Sequence, residues 1–281
     1  MLCGNVCLAF GPWLVRLAGV GPIASSFWRL ALAAPALLLL TRVLRQPIPK
    51  LSAGMWGALA AGGLFFAADL AAWHVGIFHT RIANATMFGN SSSFLFAAYG
   101  FLVARTRPGR NQTLALVLAA VGTALLLGRS YELSSRYLVG DLLCMLAGLL
   151  YTGYLIVMGR ARALLAPLPA LAISTIAGLL PLLLFAWAMG DRMIPADWTP
   201  LILLAIGSQI LGQGLMIFSI GHLTPVAFGL GLLTQPVIGA TIGWLAYDER
   251  LSALDLLGAV IIGAALILVR RPDRLKRQTL R

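Results

Sequence analysis

The chain has 281 residues, 60% hydrophobic and 11% charged, with a mean hydropathy of +0.91 and a formal net charge of +12. A soluble domain carries about 25% charged residues, so this composition excludes a water-soluble enzyme and places the chain in a bilayer. The basic residues are spread loop by loop rather than gathered on one domain, which excludes a nucleic-acid partner and reports membrane orientation instead.

A transmembrane helix needs about 20 mostly apolar residues. Ten such windows follow one another, at roughly 2–20, 23–41, 53–78, 83–103, 112–128, 138–158, 168–189, 198–220, 225–247 and 253–270. They are continuous and rich in Leu, Ala and Gly, unlike the alternating strands of a membrane barrel, which run about 10 residues each. The predicted fold class is therefore an all-α membrane protein with ten transmembrane helices. The first window lacks the basic leading segment of a signal peptide and runs straight into another span, so it counts as helix 1. Short connections such as RVLRQPIPK and RTRPGRNQ hold turn residues and charges and leave no room for a soluble domain.

Arg29 opens the second window; it either pairs with an acid, contacts a cavity or snorkels outward. The third window contains GLFFAADLAAWHVGIFHT, with an acid inside an apolar helix. At 100° per residue, Gly62, Phe65, Trp73 and Gly76 fall within about 40° of Asp69, and His74 points about 140° away. An acid near the bilayer centre costs at least about 2.5–3.5 kcal/mol on insertion scales, so this face looks toward protein or water. Asp69 then either meets a substrate ammonium or a proton, with Phe65 and Trp73 as walls, or ties its helix to Asn84, Thr86, Asn90 or Ser93 of the fourth. Thr86, Asn90 and Ser93 form a polar stripe, with Asn90 its candidate for a cavity. A stripe of this kind lines a water path or bonds neighbouring helices. The eighth window sets Gln209 and Gln213 one turn apart, able to donate and accept toward a ligand or another helix. His79 and His222 end the third and eighth windows. Thr224-Pro225 reads as a helix N-cap with Pro at the first turn. Trp13, Trp28, Trp56, Trp187 and Trp198 read as interfacial belts, whereas Trp73 and Trp244 lie deeper. Cys3, Cys7 and Cys144 have no metal spacing and read as packing residues.

Sliding the sequence by 143 residues lays GIFHTRIANATMFGNSSSFLFAAYGFLVART over SIGHLTPVAFGLGLLTQPVIGATIGWLAYDE, with His79 on His222, Asp69 on Gly212 and Trp73 on Met216. Two halves result, residues 1–130 and 131–281, of five helices each. An odd number per half puts the second half into the membrane upside down, and inverted repeats characterise secondary transporters with a site near the midplane. Loops after even-numbered helices, and the tail, carry most of the Arg and Lys, so both termini are predicted to be cytoplasmic. The acid has no symmetric counterpart, so the site offers different chemistry from its two halves.

The segments PIASSFWRLALAAPALLLL and LTPVAFGLGLLTQPVIGATIGWLAYDERLSALDLLGAVIIGAALIL, with the ten-helix layout, resemble the drug/metabolite transporter superfamily, EamA-type branch. The specific marks are Arg29, Gln235-Pro236 and Glu249-Arg250. Ser93 and Thr106 stand in the first half where the equivalent Pro and Glu would fall. The resemblance implies export or facilitated passage of small metabolites, amino acids in several relatives, through a central cavity; the whole reading is a transporter of a bacterial inner membrane that works by alternating access and without a cofactor. The expected binding residues are Phe65, Asp69, Trp73, His79, Asn90, Gln209, Gln213, Met216 and Trp244, the partners a small-molecule substrate and the lipid bilayer. No GxSxG, HExxH, P-loop or CxxC motif occurs, so the chain is not expected to be an enzyme. The rivals are a membrane-embedded enzyme for lipid-linked substrates, for which only His79 and His222 offer candidate groups, and a passive channel.

Overall fold

The computed structural model describes residues 1–80, 82–105, 107–128, 135–238, 241 and 253–269, and all of its regular structure there is helical. Six segments are long and apolar enough to cross a membrane: Pro22–Val43, Ala53–His79, Asn84–Ala104, Leu138–Ala161, Pro167–Ala188 and Thr199–Ile220. Shorter apolar helices cover Leu2–Leu17, Pro225–Ile238 and Leu256–Val269. Every predicted window thus contains helix, but several are broken.

The first window holds α1 (Leu2–Ala9) and α2 (Gly11–Leu17), separated at Phe10 where Pro12 enters the first turn of α2 without an N–H to continue the ladder. The second and third windows are α3 (Pro22–Val43) and α4 (Ala53–His79). Ser52 starts α4 by accepting a bond from the Met55 amide. The fourth window divides into α5 (Ile82–Gly89) and α6 (Ser91–Ala104). Asn90 causes the break locally: its Nδ2 donates to the Thr86 carbonyl at 2.7 Å, competing with its own amide for the same oxygen. There follow α7 (Arg110–Gly128), α8 (Leu138–Ala161) and α9 (Pro167–Ala188). The eighth window begins as α10 (Thr199–Leu203), widens into a ten-residue π-helix (Leu204–Gln213) and returns to α11 (Gly214–Ile220). Thr224 caps α12 (Pro225–Leu232) through the Ala227 amide, as its Thr-Pro pair predicts. The last described helix is α13 (Ala253–Val269).

The packing pairs windows across the repeat. The second lies on the seventh (α3 on α9), the fourth on the ninth (α6 on α12) and the fifth on the tenth (α7 on α13), while α4 packs on α8 as α1 and α2 pack on the eighth window. The α3 and α9 helices are antiparallel. At one end the Gly21 amide donates to the Arg192 carbonyl and Trp28 Nε1 to Met193; at the other the Leu168 amide donates to Gln46 Oε1. Small residues allow the closest crossings, as in soluble and membrane bundles alike. A Cβ on Gly63 of α4 would stand 2.5 Å from Ala177 and 2.6 Å from the Ser174 carbonyl of α9.

Asp191 closes one end of the α3/α9 pair. Its Oδ2 accepts from the Ile23 and Ala24 amides at 2.8 and 2.9 Å, so a residue from the other half caps the N-terminus of α3. Gly21 makes that approach possible: a Cβ there would fall 2.1 Å from the Asp191 carboxyl carbon. Trp28 and Trp198 meet edge to face at 4.8 Å, so these two fasten the same loop rather than serving solely as interfacial belts. Trp13, Trp56 and Trp187 are exposed near helix ends, where a bilayer's headgroups would meet them.

Candidate functional site

Five windows place polar side chains in one buried cluster. Arg29 of α3 is 5% exposed, which overturns the snorkelling alternative. Its Nε donates to Gln209 Oε1 at 3.0 Å, and its guanidinium carbon lies 5.7 Å from the centre of the Phe66 ring on α4. Gln209 in turn donates through Nε2 to Thr175 Oγ1 of α9, also at 3.0 Å. Asp69 follows Phe66 by three residues on α4, is buried, and lies within electrostatic reach of Arg29. From α8, Tyr151 donates to Gln213 Oε1 at 3.3 Å, and Tyr154 stacks on Phe66 with ring centres 4.6 Å apart. Tyr154 is fully buried and its hydroxyl, directed toward Ser174, makes no hydrogen bond of normal geometry.

The elements explain why these groups meet. Arg29 sits one to two turns into α3, on the stripe that also carries Ala33 and Leu37 into the core. Phe66 and Asp69 share a helical face at i and i+3. Gln209 and Gln213 both fall in the π-helix, an irregularity that is frequent at functional sites. The first half contributes the two charges, and the second contributes hydroxyls and amides.

Other expected residues lie elsewhere. Phe65 is 38% exposed with its ring against Gly153, so Phe66 and not Phe65 packs over the Arg29 guanidinium. Trp73 is partly buried, its indole nitrogen edge near Gly89 and its ring tilted against His74 at 5.4 Å. Asn90 is buried at the α5–α6 break and bonds Thr86. Met216 is buried in the main apolar core, its sulfur close to Gly4 of α1. His79 is exposed at the end of α4, about 15 Å along the helix from Asp69. It and His222 make the same contact, each ring nitrogen meeting the carbonyl four residues back. Trp244 and Glu249-Arg250 lie outside the described residues.

Of the helix-tying partners expected for Asp69, Asn84 and Asn90 are engaged otherwise, and the buried Ser93 hydroxyl bonds no described residue. Asn84 donates to Asp141 at the start of α8, where Thr80 also donates at 2.6 Å, and Asn90 serves its own helix. Asp69 faces Arg29 instead. His74, which the helical wheel turns away from Asp69, is fully buried with Nδ1 against Ser25, Ser26 and the Pro22 carbonyl at the start of α3. Tyr151, Tyr154, Thr175 and Phe66 escaped the sequence reading. Only the repeat could have pointed to Thr175, since it brings α3 and α9 into register. Gly212, equivalent to Asp69, is filled differently: a Cβ there would meet Leu8 of α1 at 2.9 Å. Among the described residues no group of His, Cys, Asp and Glu could hold a metal.

An apolar helical bundle of two packed repeats, with charges buried between them, defines a multi-pass membrane protein of the transporter class. The EamA-like transporter family model matches residues 1–128 and 138–271, so the chain belongs to that family and to the drug/metabolite transporter superfamily. A solved crystal structure has the same fold, with a TM-score of 0.78 and 13% identity over 95% of this chain and 94% of that one. No curated protein matches the chain.

Proposed function

We propose that this transporter exports or equilibrates a small polar metabolite, an amino acid, by alternating access through a central site in a bacterial inner membrane. The reading gives the chain ten spans in two inverted repeats, residues 1–130 and 131–281, with both termini cytoplasmic. One observation carries it. The buried polar cluster draws Arg29, Phe66 and Asp69 from one repeat and Tyr151, Thr175, Gln209 and Gln213 from the other, at the junction where inverted-repeat transporters bind cargo. The antiparallel course of the equivalent helices α3 and α9 supports the inversion.

In this mechanism Asp69 takes the cargo's ammonium group, and Gln213 with Tyr151 offers neutral donors and acceptors beside it. Phe66 and Tyr154 wall the site with aromatic faces. Phe65, Trp73, His79, Asn90, Met216 and Trp244 remain proposed contributors along the route, with His79 toward one end. The lipid-linked enzyme reading has no observation in its favour: the two histidines contact their own helices. Purified protein in liposomes is expected to give saturable, stereoselective counterflow of a neutral amino acid. Absence of counterflow across a broad metabolite panel, with turnover of a lipid-linked substrate, would refute the proposal.

A further inference from the structure

The fourth and ninth windows are interrupted at equivalent points of the repeat. Asn90 and Leu233, superposed by the same sequence offset as His79 and His222, each stand between two helical stretches. Their backbones make the same turn, with φ −72° and ψ −1° at Asn90 and φ −67° and ψ −2° at Leu233. The causes differ. In the ninth window Pro236 has no N–H for the Leu232 carbonyl, and its ring crowds that oxygen. Asn5 of α1 pins the bend: fully buried, it donates to the Gly231 carbonyl and to Thr234 Oγ1 and accepts from Gln235 Nε2. This bend is permanent. In the fourth window Ser93 stands where Pro236 stands in the ninth. Its amide is present but donates to the Asn90 carbonyl at 3.0 Å, three residues back, rather than continuing the helical ladder to Gly89. The Gly89 carbonyl takes the Ser92 hydroxyl instead, at 3.2 Å. Nothing in the covalent structure keeps this second break from closing.

The segment beyond the break, α5, belongs to a closure. Asn84 holds it to Asp141 of α8. Ala85 packs in an apolar cluster with Leu14 of α2, Ile77 of α4, Cys144 of α8 and Leu204 of the π-helix. That cluster seals the end of the bundle at which α4 finishes. Moving the Ser93 amide from Asn90 to Gly89 restores an unbroken helix and redirects α5 relative to α6, away from its contacts with Asp141 and Cys144. One backbone hydrogen bond replaces another, so the hinge itself opposes neither form. We infer that α5 is a lid on this end of the bundle, hinged at Asn90 and worked by the amide switch, while the matching bend at Leu233 stays fixed. Interrupted helices at corresponding places of two inverted halves mark secondary transporters; here only one of the pair is free to straighten. The inference rests on the transport reading above and names its moving part.

Cys144 is the reporter, in a background with Cys3 and Cys7 replaced by serine. Its labelling by N-ethylmaleimide is followed in liposomes bearing the full chain, beside counterflow of a labelled neutral amino acid. Ser93→Pro removes the amide that must switch and gives the first half the residue that the second accommodates at the same bend. It is expected to slow both labelling and counterflow at least about tenfold, because a proline strongly disfavours the straight form. Ser92→Ala leaves the Gly89 carbonyl without a donor in the bent form alone, and should speed labelling about fivefold, the population shift from one lost hydrogen bond. Ser93→Ala keeps the amide and should leave both rates near the parent's. Parent-like rates from Ser93→Pro overturn the inference, as does faster labelling from Ser92→Ala and Ser93→Pro alike, the sign of general loosening. A loss from Ser93→Ala as large as from Ser93→Pro assigns the effect to the hydroxyl and overturns the amide switch. Should Ser93→Pro fail to insert, Ser92→Ala decides alone: faster labelling supports the hinge and unchanged labelling refutes it. Absence of counterflow from the parent takes down the transport reading, whereas Cys144 labelling still decides the hinge.

Discussion

Asp69→Asn keeps the size and much of the hydrogen bonding of its side chain while removing the charge. The proposed role expects this variant to insert and fold normally while amino-acid counterflow falls about tenfold or more. Near-parent counterflow from Asp69→Asn, with poor thermal stability from Asp69→Ala, would assign the residue to packing instead. Gln209 gives a complementary measurement. Gln209→Leu leaves Arg29 Nε and Thr175 Oγ1 without their partner, at a cost of about 1–3 kcal/mol. A lowered melting temperature in detergent, without loss of the helical circular-dichroism signal, is the expected result. At this scale the sequence made some things plain and hid others. An acid in an apolar helix is conspicuous because it is expensive, and two glutamines a turn apart are nearly so. Tyr151 and Tyr154 were silent, since a tyrosine in a membrane helix reads as ordinary packing until a partner is known. Phe66 lost to Phe65 because an ideal 100° wheel separates adjacent residues cleanly, whereas side-chain packing against α8 decided which ring faced the guanidinium.

Helix by helix, legibility followed length. The continuous windows at α3, α4, α8 and α9 were plain from hydropathy, and the Thr224-Pro225 start of α12 from its capping chemistry. The breaks were not, because hydropathy is blind to local hydrogen bonding: Asn90 and the Phe10 junction interrupt windows that stay apolar on average. The π-helix left no compositional trace either. A cap supplied from 168 residues away, as Asp191 supplies to α3, lies beyond any local pattern. Its removal has a measurable consequence. Asp191→Ala strips the Ile23 and Ala24 amides of their acceptor, and loss of an N-cap typically costs about 0.5–2 kcal/mol. The variant should melt lower than the parent, with faster amide hydrogen exchange confined to the first turn of α3. Exchange unchanged there would mean that the cap contributes nothing to that helix end.

Across the whole molecule, the proposed inversion puts positions 105–110 and 248–252, equivalent by repeat, on opposite sides of the membrane. Single cysteines introduced into each segment, in a background lacking Cys3, Cys7 and Cys144, test this in intact cells. An impermeant maleimide is expected to label 248–252 alone; labelling both would refute the inversion. The halves are nevertheless unequal where it matters. The Leu8 side chain of α1 occupies the space beside Gly212 that an acid equivalent to Asp69 would need, so the second half offers the mirror-image charge only if that side chain moves. An occupant of the proposed site is therefore held in one orientation relative to the two unequal halves. Kinetic constants for influx and efflux are then free to differ, while the equilibrium between compartments is set by the gradient alone.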